Sequence, residues 1–252
     1  MKSKSSVFIR IALVVAVLCV CGAAAAWSQQ KEYINGIDGN YPPFSLIDKN
    51  GNPAGSDVEI VRWIEKEMGI KVKIIAVAWD AMIPSLKAGK IDFVSNMSPT
   101  PERLKEVDFM IAYGETGIGV AVRDNTNLNI VDVLSGKYKI GVARGAAAAG
   151  WVEESLVDKG ILSKRNLTIY NNSVLIFKDL ANGRIDAGIE DEGVVRDAVD
   201  NGPIRMVGII YGGWTNNFAI RKGDTELKRI LDEGIRRLKN SPDWEKLGAN
   251  YR

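Results

Sequence analysis

Hydrophobic and polar residues follow two different periods along this chain, and the two periods alternate. Between residues 57 and 68 the apolar positions recur at helical spacing, with Asp57 placed to cap the helix. Short apolar runs bounded by turn residues predict strands at 34–37, 71–76, 91–94, 139–142, 167–170 and 185–189. Alternation of strands and helices is typical of an α/β fold with mainly parallel sheets.

Further helices are predicted between and after these strands. One begins at Thr100, a favourable N-cap, with Pro101 at the first helical position. The last strong pattern places the apolar residues between 227 and 238 on one side of a helix. The remaining predicted helices lie at 80–88, around 151–156, at 173–181, after Asp191 and at 244–247.

Two segments of the chain repeat one pattern. Residues 84–92 (PSLKAGKID) and 178–186 (KDLANGRID) each contain a helix end, a glycine, a basic residue and an Ile-Asp pair that opens a strand. Together with the doubled order of elements, this repeat predicts two lobes built from the same unit.

The first 28 residues have the composition of a signal peptide. A basic start is followed by the apolar run 11–20 and by small residues ahead of a cleavage site after Ala26 or Ser28. The apolar run is shorter than the roughly 20 residues of a membrane-spanning helix. We therefore expect export to the periplasm, and we take residues 1–28 out of the fold prediction.

The composition excludes several classes of site. The chain has no histidine, and both cysteines, Cys19 and Cys21, lie in the predicted signal peptide. This rules out a disulfide framework, a Cys/His zinc site, a Ser-His-Asp triad and a thiol nucleophile in the mature protein. We expect no metal and no cofactor, since no Asp-rich loop has metal-binding spacing.

The net charge argues against nucleic acid as a partner. The chain carries 33 basic and 31 acidic residues, and removal of Lys2, Lys4 and Arg10 with the leader leaves 30 against 31. The charges are interspersed, without a basic tract. About 224 residues remain, enough for one large domain or two small ones.

Arg103 is the strongest candidate for ligand binding. It falls in the first turn of the helix that Thr100 opens, where a cation opposes the positive end of the helix dipole. A guanidinium beside free helix N–H groups suits an anion such as a ligand carboxylate. The alternative is an arginine that pairs with a nearby carboxylate or faces solvent.

The repeat places opposite charges after its two strands. Ligands of open α/β sheets bind outside the carboxyl ends of the strands. The first strand is followed by hydrogen-bonding residues and Arg103, and the second by Glu190, Asp191 and Glu192. A cleft between the lobes would suit a small zwitterion, although Asp191 could simply cap a helix. Tyr41 and Trp79 could stack on the ligand or belong to the core.

The chain resembles a known family, the periplasmic solute-binding proteins of amino-acid ABC transporters. The matching segments span nearly the whole mature chain in family order. They are 39–44 (GNYPPF), 55–58 (GSDV), 79–86 (WDAMIPSL), 100–103 (TPER), 107–109 (VDF), 183–187 (GRIDA) and 219–224 (AIRKGD).

The resemblance implies a two-lobe periplasmic binding protein fold of type II, with two crossing hinge strands near 116–119 and 214–217. Lobe 1 would contain residues 29–117 and 215–252, and lobe 2 residues 118–214. Such lobes close on a ligand by a hinge motion.

The resemblance also implies roles for individual residues. Arg103 matches the position that binds the α-carboxylate, and Asp191 the position that binds the α-ammonium group. The positions of the polar loop between strand and helix are Asn96, Ser98 and Thr100. The positions around the ligand side chain are Asp38, Tyr41 and Trp79. Ala147 replaces a hydroxyl residue at a helix start, where backbone N–H groups can still serve an anion. Arg144 could face the cleft and favour an acidic ligand, whereas Asp38 favours a cationic one.

The function that we expect is an extracytoplasmic receptor that binds a polar amino acid or similar small zwitterion and delivers it to an ABC permease. We expect a monomer without enzymatic activity. One alternative is an enzyme similar to cyclohexadienyl dehydratases, with Glu190 or Glu192 as general acid, although carboxylates at helix starts are usually solvated. Another is a sensory receptor that binds amino acids without transporting them.

Overall fold

The computed structural model describes residues 31–249, so the predicted signal peptide lies outside the described residues. The strands are β1 (Glu32–Ile37), β2 (Asn40–Tyr41), β3 (Ser45–Ile47), β4 (Pro53–Ala54), β5 (Lys71–Ala76), β6 (Phe93–Val94), β7 (Val107–Phe109), β8 (Gly114–Arg123), β9 (Ile140–Ala143), β10 (Leu167–Tyr170), β11 (Ala187–Asp191), β12 (Ile204–Asn216) and β13 (Ala219–Arg221). The α-helices are α1 (Ser56–Met68), α2 (Met82–Lys87), α3 (Pro101–Glu106), α4 (Ile130–Leu134), α5 (Ala147–Val152), α6 (Ser173–Ala181), α7 (Glu192–Asn201), α8 (Thr225–Lys239) and α9 (Trp244–Leu247).

The strands form two five-stranded sheets and one small sheet. The first sheet has the order β5-β1-β6-β13-β7, and the second has the order β10-β9-β11-β8-β12. In each sheet, consecutive βα units supply parallel strands. The antiparallel strand is the late strand β13 in the first sheet and the early strand β8 in the second. The small antiparallel sheet contains β2, β3 and β4. The predicted α/β wiring is therefore confirmed.

The chain passes between the two large sheets twice. It leaves the first sheet after β7 and returns to it from β12 into β13, and these passages run side by side. Thr116 of β8 pairs with Trp214 of β12, and the Tyr113 N–H donates to the Asn216 carbonyl at 2.9 Å. The paired strands are the structural counterpart of the expected hinge, while the lobe boundaries at 117/118 and 214/215 stay a prediction.

Asp92 of the repeated pattern connects two strands of the first sheet by hydrogen bonds, β1 and β13. Its carboxylate accepts a hydrogen bond from the Ile34 N–H at 2.8 Å and one from the Arg221 guanidinium at 3.1 Å. Arg221 also donates to the Leu86 and Ile91 carbonyls at 3.3 and 2.8 Å, which joins the end of α2 to the start of the next strand.

Asp186 repeats this arrangement in the second sheet. Its carboxylate accepts a hydrogen bond from the Lys139 N–H at 3.0 Å and lies 3.5 Å from the Arg123 guanidinium. Arg123 donates to the carbonyls of Leu180, at 3.2 Å, and Ile185. The sequence repeat thus corresponds to one structural unit that occurs in both sheets.

The long helix α8, near the end of the chain, covers the first sheet together with α1. Leu227, Leu231 and Ile235 are buried, in agreement with the predicted apolar side. Gly234 lets α8 approach α1 closely, because a Cβ atom there would lie 2.8 Å from Ile64. None of the helices among residues 31–249 is long and apolar enough to cross a membrane.

The prediction that Asp57 caps α1 is wrong. The helix begins at Ser56, its N-cap is Gly55, and Asp57 lies inside the first turn. The Asp57 side chain is fully buried and accepts a hydrogen bond from the Tyr113 hydroxyl at 3.1 Å. Asp57 therefore joins α1 to the passage between the sheets instead of capping the helix.

Candidate functional site

A cavity lies where the carboxyl ends of strands from both large sheets face each other. It brings together eight of the ten predicted site residues. These are Asp38, Tyr41, Trp79, Asn96, Ser98, Arg103, Ala147 and Asp191. The rest of its lining comes from Thr116, Gly117, Ile118, Ala143, Ala146, Ala148, Asn171, Asn172, Ser173, Glu190 and Trp214.

Arg103 is held at the start of α3, and its side chain points across the cavity. Thr100 caps this helix as predicted, since its hydroxyl accepts a hydrogen bond from the Arg103 N–H at 3.3 Å. The guanidinium donates to the Ser98 carbonyl at 2.7 Å and to the Gly145 carbonyl, beyond β9 of the second sheet, at 2.7 Å. Burial lowers the pKa of Arg103 to about 10, so the group stays charged at neutral pH.

Trp79 reinforces the same contact between the two sides of the cavity. Its indole N–H donates to the Gly145 carbonyl at 3.1 Å, and its ring lies 5.2 Å from the Arg103 guanidinium carbon. Gly145 has a φ of 70°, in the left-handed region that favours glycine, and this turn exposes its carbonyl oxygen to both donors. One oxygen atom of the second sheet therefore binds two side chains of the first.

Asp191 combines a structural role with a place in the cavity. It is the N-cap of α7, accepting a hydrogen bond from the Gly193 N–H at 2.9 Å, and its other oxygen accepts one from the Thr116 hydroxyl at 2.8 Å. The nearby Tyr41 hydroxyl lowers the pKa of this carboxylate, by less than burial raises it. Burial raises the pKa of Asp191 to about 6.

Glu190 is the site residue whose environment differs most from the sequence-based expectation. Its side chain is 2% exposed, accepting hydrogen bonds from the Ser173 hydroxyl at 3.0 Å and from the Asp191 N–H at 2.9 Å. Burial raises the pKa of Glu190 to about 7. The expectation of a solvated carboxylate is wrong because β11 runs to Asp191, which places Glu190 inside a buried strand.

Asn96 presents an amide group to the cavity. It is 7% exposed and has a φ of 54°, which is uncommon for a residue other than glycine. Its side-chain oxygen accepts a hydrogen bond from the Asn216 amide at 2.6 Å, while its own NH₂ group has no hydrogen-bond partner among residues 31–249. A buried donor without a partner in a cavity is available to a ligand.

Asp38 and Tyr41 lie at the end of β1 and in β2, beside the acidic pair of the second sheet. Burial raises the pKa of Asp38, whose carboxylate accepts a hydrogen bond from the Asn40 N–H at 2.9 Å. Burial also raises the pKa of Tyr41 well above its usual value, and the nearby Asp191 and Glu190 add to this shift. Tyr41 is therefore a neutral hydrogen-bonding group at neutral pH.

Two predicted site residues do not line the cavity. Thr100 uses its hydroxyl to cap α3, and Arg144 is exposed. Ala143, the last residue of β9, faces the cavity, so the next residue along the strand direction points away from it. The predicted conflict between Arg144 and Asp38 is thereby removed, because Arg144 contributes no charge to the cavity.

The structure adds residues that sequence reasoning missed, mainly Thr116 and Trp214 of the paired crossing strands and, at the start of α6, Asn171, Asn172 and Ser173. The predicted crossing at 116–119 and 214–217 was a signal for the first two. Among residues 31–249, no group of acidic side chains is arranged to hold a metal ion.

Comparison with known proteins settles the family. The family described as bacterial extracellular solute-binding proteins, family 3, matches residues 33–252. The chain belongs to this family. The resemblance seen in the sequence is thereby confirmed.

Relatives of this family 3 protein bind amino acids. It is 29% identical to the lysine/arginine/ornithine-binding periplasmic protein of Escherichia coli K12, over 91% of each chain. It is 28% identical to the L-cystine-binding protein TcyJ of the same strain, over 86% of this chain and 80% of the relative.

A solved structure confirms the two-lobe fold. The ancestral amino acid-binding protein AncCDT-1, a precursor of cyclohexadienyl dehydratase, superposes with a TM-score of 0.80 at 30% identity. The match covers 89% of this chain and 96% of that one.

Proposed function

We propose that this protein is an extracytoplasmic receptor that captures an amino acid between its two lobes and delivers it to an ABC permease. The observation that carries this proposal is the pair of opposite charges, a buried arginine and a partly buried aspartate, on opposite sides of one cavity. Arg103 belongs to the first lobe and Asp191 to the second. An amino acid is the small metabolite that carries both complementary charges.

Each charged group has a defined task in this proposal. Arg103 binds the α-carboxylate by charge-assisted hydrogen bonds, and the Asn96 amide supplies a further donor. Asp191 accepts hydrogen bonds from the α-ammonium group. Because one ligand then touches both lobes, it stabilises the closed arrangement over the open one.

The setting of the protein follows from its relatives and from the leader. The relatives above include a periplasmic protein, and residues 1–28 have the composition of a signal peptide. We therefore propose a monomer that acts in the periplasm and docks on a membrane permease. A receptor of the same kind could instead report to a sensor, and co-purification with the permease distinguishes these roles.

Binding measurements with one variant test the proposal. Thermal-shift screening identifies the best amino acid, and calorimetry then compares the wild type with Arg103→Ala. We expect a loss of about 2–5 kcal/mol, roughly 30-fold or more in affinity, because the ligand carboxylate would be buried without its partner. Arg144→Ala is the matched control, since it removes an exposed cation outside the cavity.

The control should bind like the wild type. Unchanged affinity of Arg103→Ala for the best ligand, or the absence of binding by any amino acid, would contradict the proposed receptor function.

The buried carboxyl group of Glu190 supports a second candidate function, that of an enzyme similar to a cyclohexadienyl dehydratase. A buried carboxyl group with a pKa of about 7 can protonate a leaving hydroxyl group at neutral pH. Incubation with prephenate or arogenate separates the two functions. The receptor function predicts no aromatic product, whereas a product that Glu190→Gln abolishes would establish the enzyme.

A further inference from the structure

The cavity contains more negative than positive groups. Asp38, Glu190 and Asp191 are its acidic residues, and Arg103 is the basic residue among the described residues that line it. If the proposed function holds, the α-carboxylate of an amino acid binds Arg103 and its α-ammonium group binds Asp191. Asp38 and Glu190 then remain, with no positive partner from the protein inside the cavity.

Glu190 is fixed in place beside this unpaired charge. The Ser173 hydroxyl and the Asp191 N–H each hold one of its oxygens, so the carboxyl group cannot turn out to solvent. The charged groups that act on it are Asp191 and Asp38, which repel its negative form, and Arg103. Tyr41, close enough to respond to the same acids, is neutral.

Glu190 is buried and Asp38 and Asp191 are partly buried, so ionisation of all three around one cavity is unfavourable without a compensating positive charge. That charge is supplied either by a proton on one of the acids or by a second positive charge on the ligand. Among the three, Glu190 is the most buried, and its pKa of about 7 makes it the acid that retains a proton nearest to neutral pH. A proton and a ligand cation exclude each other at the same carboxyl group.

We propose that Glu190 makes the cavity selective for an amino acid with a cationic side chain, and that it exchanges its proton for that charge on binding. This inference rests on the proposed receptor function. The proton leaves the Glu190 carboxyl group for the solvent, and the cationic side chain takes over the compensation of the remaining carboxylate. No bond other than this O–H bond is broken.

A ligand with a neutral side chain behaves differently. It brings no second charge, so it leaves the protonation of Glu190 as it is in the ligand-free protein, and below pH 7 the protonated group serves as a hydrogen-bond donor. Arginine and glutamine are therefore informative probes, because they share the α-groups and differ in the charge of the side chain. Any proton that Asp191 releases is common to both ligands and cancels in the comparison.

Calorimetry in buffers of different ionisation enthalpy counts the released protons. At pH 6 we expect arginine binding to release about one proton more than glutamine binding, and at pH 8 we expect this difference to vanish. The affinity for arginine should rise about tenfold more than that for glutamine between pH 6 and pH 8. Arginine should bind more tightly than glutamine at pH 8.

Two variants assign the proton to its residue. Glu190→Gln should abolish both differences between the ligands. Glu192→Gln is the matched control, because Glu192 is the nearest acid along the chain beyond Asp191 and pairs with Arg196 outside the cavity. It should keep both differences.

The outcomes separate this inference from the function on which it rests. Equal binding of arginine and glutamine with equal proton release overturns the selectivity and leaves the receptor function standing. Binding of neither these nor any other amino acid overturns the receptor function itself. If Glu190→Gln does not fold, the wild-type proton count decides, because the absence of extra release overturns the inference without a variant.

Discussion

At the scale of single residues, hydrogen bonds to the Gly145 carbonyl join the two sides of the cavity. It accepts hydrogen bonds from the Trp79 indole at 3.1 Å and from the Arg103 guanidinium at 2.7 Å. A hydrogen bond of this kind contributes about 0.5–1.5 kcal/mol, and more where the donor is charged. In the proposed hinge motion, these two bonds would stabilise the closed arrangement even without a ligand.

Trp79→Phe tests this contribution. The variant keeps an aromatic ring beside Arg103 but removes the N–H donor, so the closed arrangement loses one hydrogen bond. We expect ligand affinity to fall about 2–10-fold. Small-angle scattering should show a larger radius of gyration before ligand is added.

Trp63→Phe is the control for this change. Trp63 also donates an indole hydrogen bond, to Asp243 at 2.8 Å, but neither residue lines the cavity. The ligand affinity of the Trp63→Phe variant should stay at the wild-type value. An equal loss in both variants would show that general destabilisation, and not closure, causes the effect.

The candidate site could be predicted from sequence only where local chemistry determines the position of a side chain. Arg103 does line the cavity, and it was predicted to do so because Thr100 and Pro101 mark a helix start at which helix stability favours an acidic residue instead. Glu190 was misjudged because β11 ends two residues later than its apolar run indicates. Arg144 does not line the cavity, and because β9 is apolar throughout, its sequence shows no polar and apolar alternation from which the orientation of the next residue could be predicted.

At the scale of elements, the two aspartates of the repeat show how a short pattern builds each sheet. Asp92 and Asp186 stand at the same place in their units, and each accepts a backbone N–H of a neighbouring strand segment, from Ile34 within β1 and from Lys139 just before β9. Each also meets an arginine that binds carbonyls at a helix end and at a strand start. The repeated Ile-Asp pair is thus a structural device that aligns strands.

Asp92→Asn and Asp186→Asn should lower the free energy of unfolding by different amounts. The Asp92 side chain is 17% exposed and lies 3.1 Å from its arginine, so we expect a loss of about 1.5–3 kcal/mol. The Asp186 side chain is 32% exposed and lies 3.5 Å from its arginine, so its loss should be about 1 kcal/mol or less. Urea unfolding monitored by tryptophan fluorescence measures both.

A larger loss for Asp186→Asn than for Asp92→Asn would contradict this reading of the two sites. Asp158→Asn provides a surface control, because Asp158 follows α5 and its π-helical extension, away from both pairs.

The elements that the sequence indicated least clearly are the long strands β8 and β12. In β12 the register shifts between Ile210 and Trp214, where Tyr211, Gly212 and Gly213 lie opposite a single residue. Such a bulge breaks the period of two on which strand prediction depends. The continuous helix α8, by contrast, has an unbroken apolar side and was predicted closely.

At the scale of the whole molecule, the order of elements was predictable but the composition of the cavity was not. Alternating strands and helices, together with the repeat, indicated two lobes. The cavity depends on which side chains meet when two distant sheets face each other. Asn171, Asn172 and Ser173 reach it from the start of α6, and nothing in their local sequence indicates that they meet Thr116 and Trp214 there.

The buried acids also make the stability of the ligand-free protein depend on pH. Burial raises the pKa of Glu190 from 4.5 to about 7 and that of Asp191 from 3.8 to about 6, and it raises the pKa of Asp38 as well. The folded protein therefore binds more protons than the unfolded chain between about pH 4 and pH 7. The stability that these groups contribute is complete below about pH 4 and is lost as pH rises through 7.

We expect this effect to be visible in unfolding free energies measured from pH 5 to pH 8 without ligand. The loss attributable to Glu190 is on the order of 3 kcal/mol over its full titration, at 1.36 kcal/mol per pKa unit. Glu190→Gln, which carries no titratable group, should show a correspondingly flatter profile. Parallel profiles of the wild type and the variant over this range would contradict the raised pKa of Glu190. Removal of a carboxyl group leaves the unfolding free energy between pH 5 and pH 8 unchanged only if burial does not raise the pKa of that group.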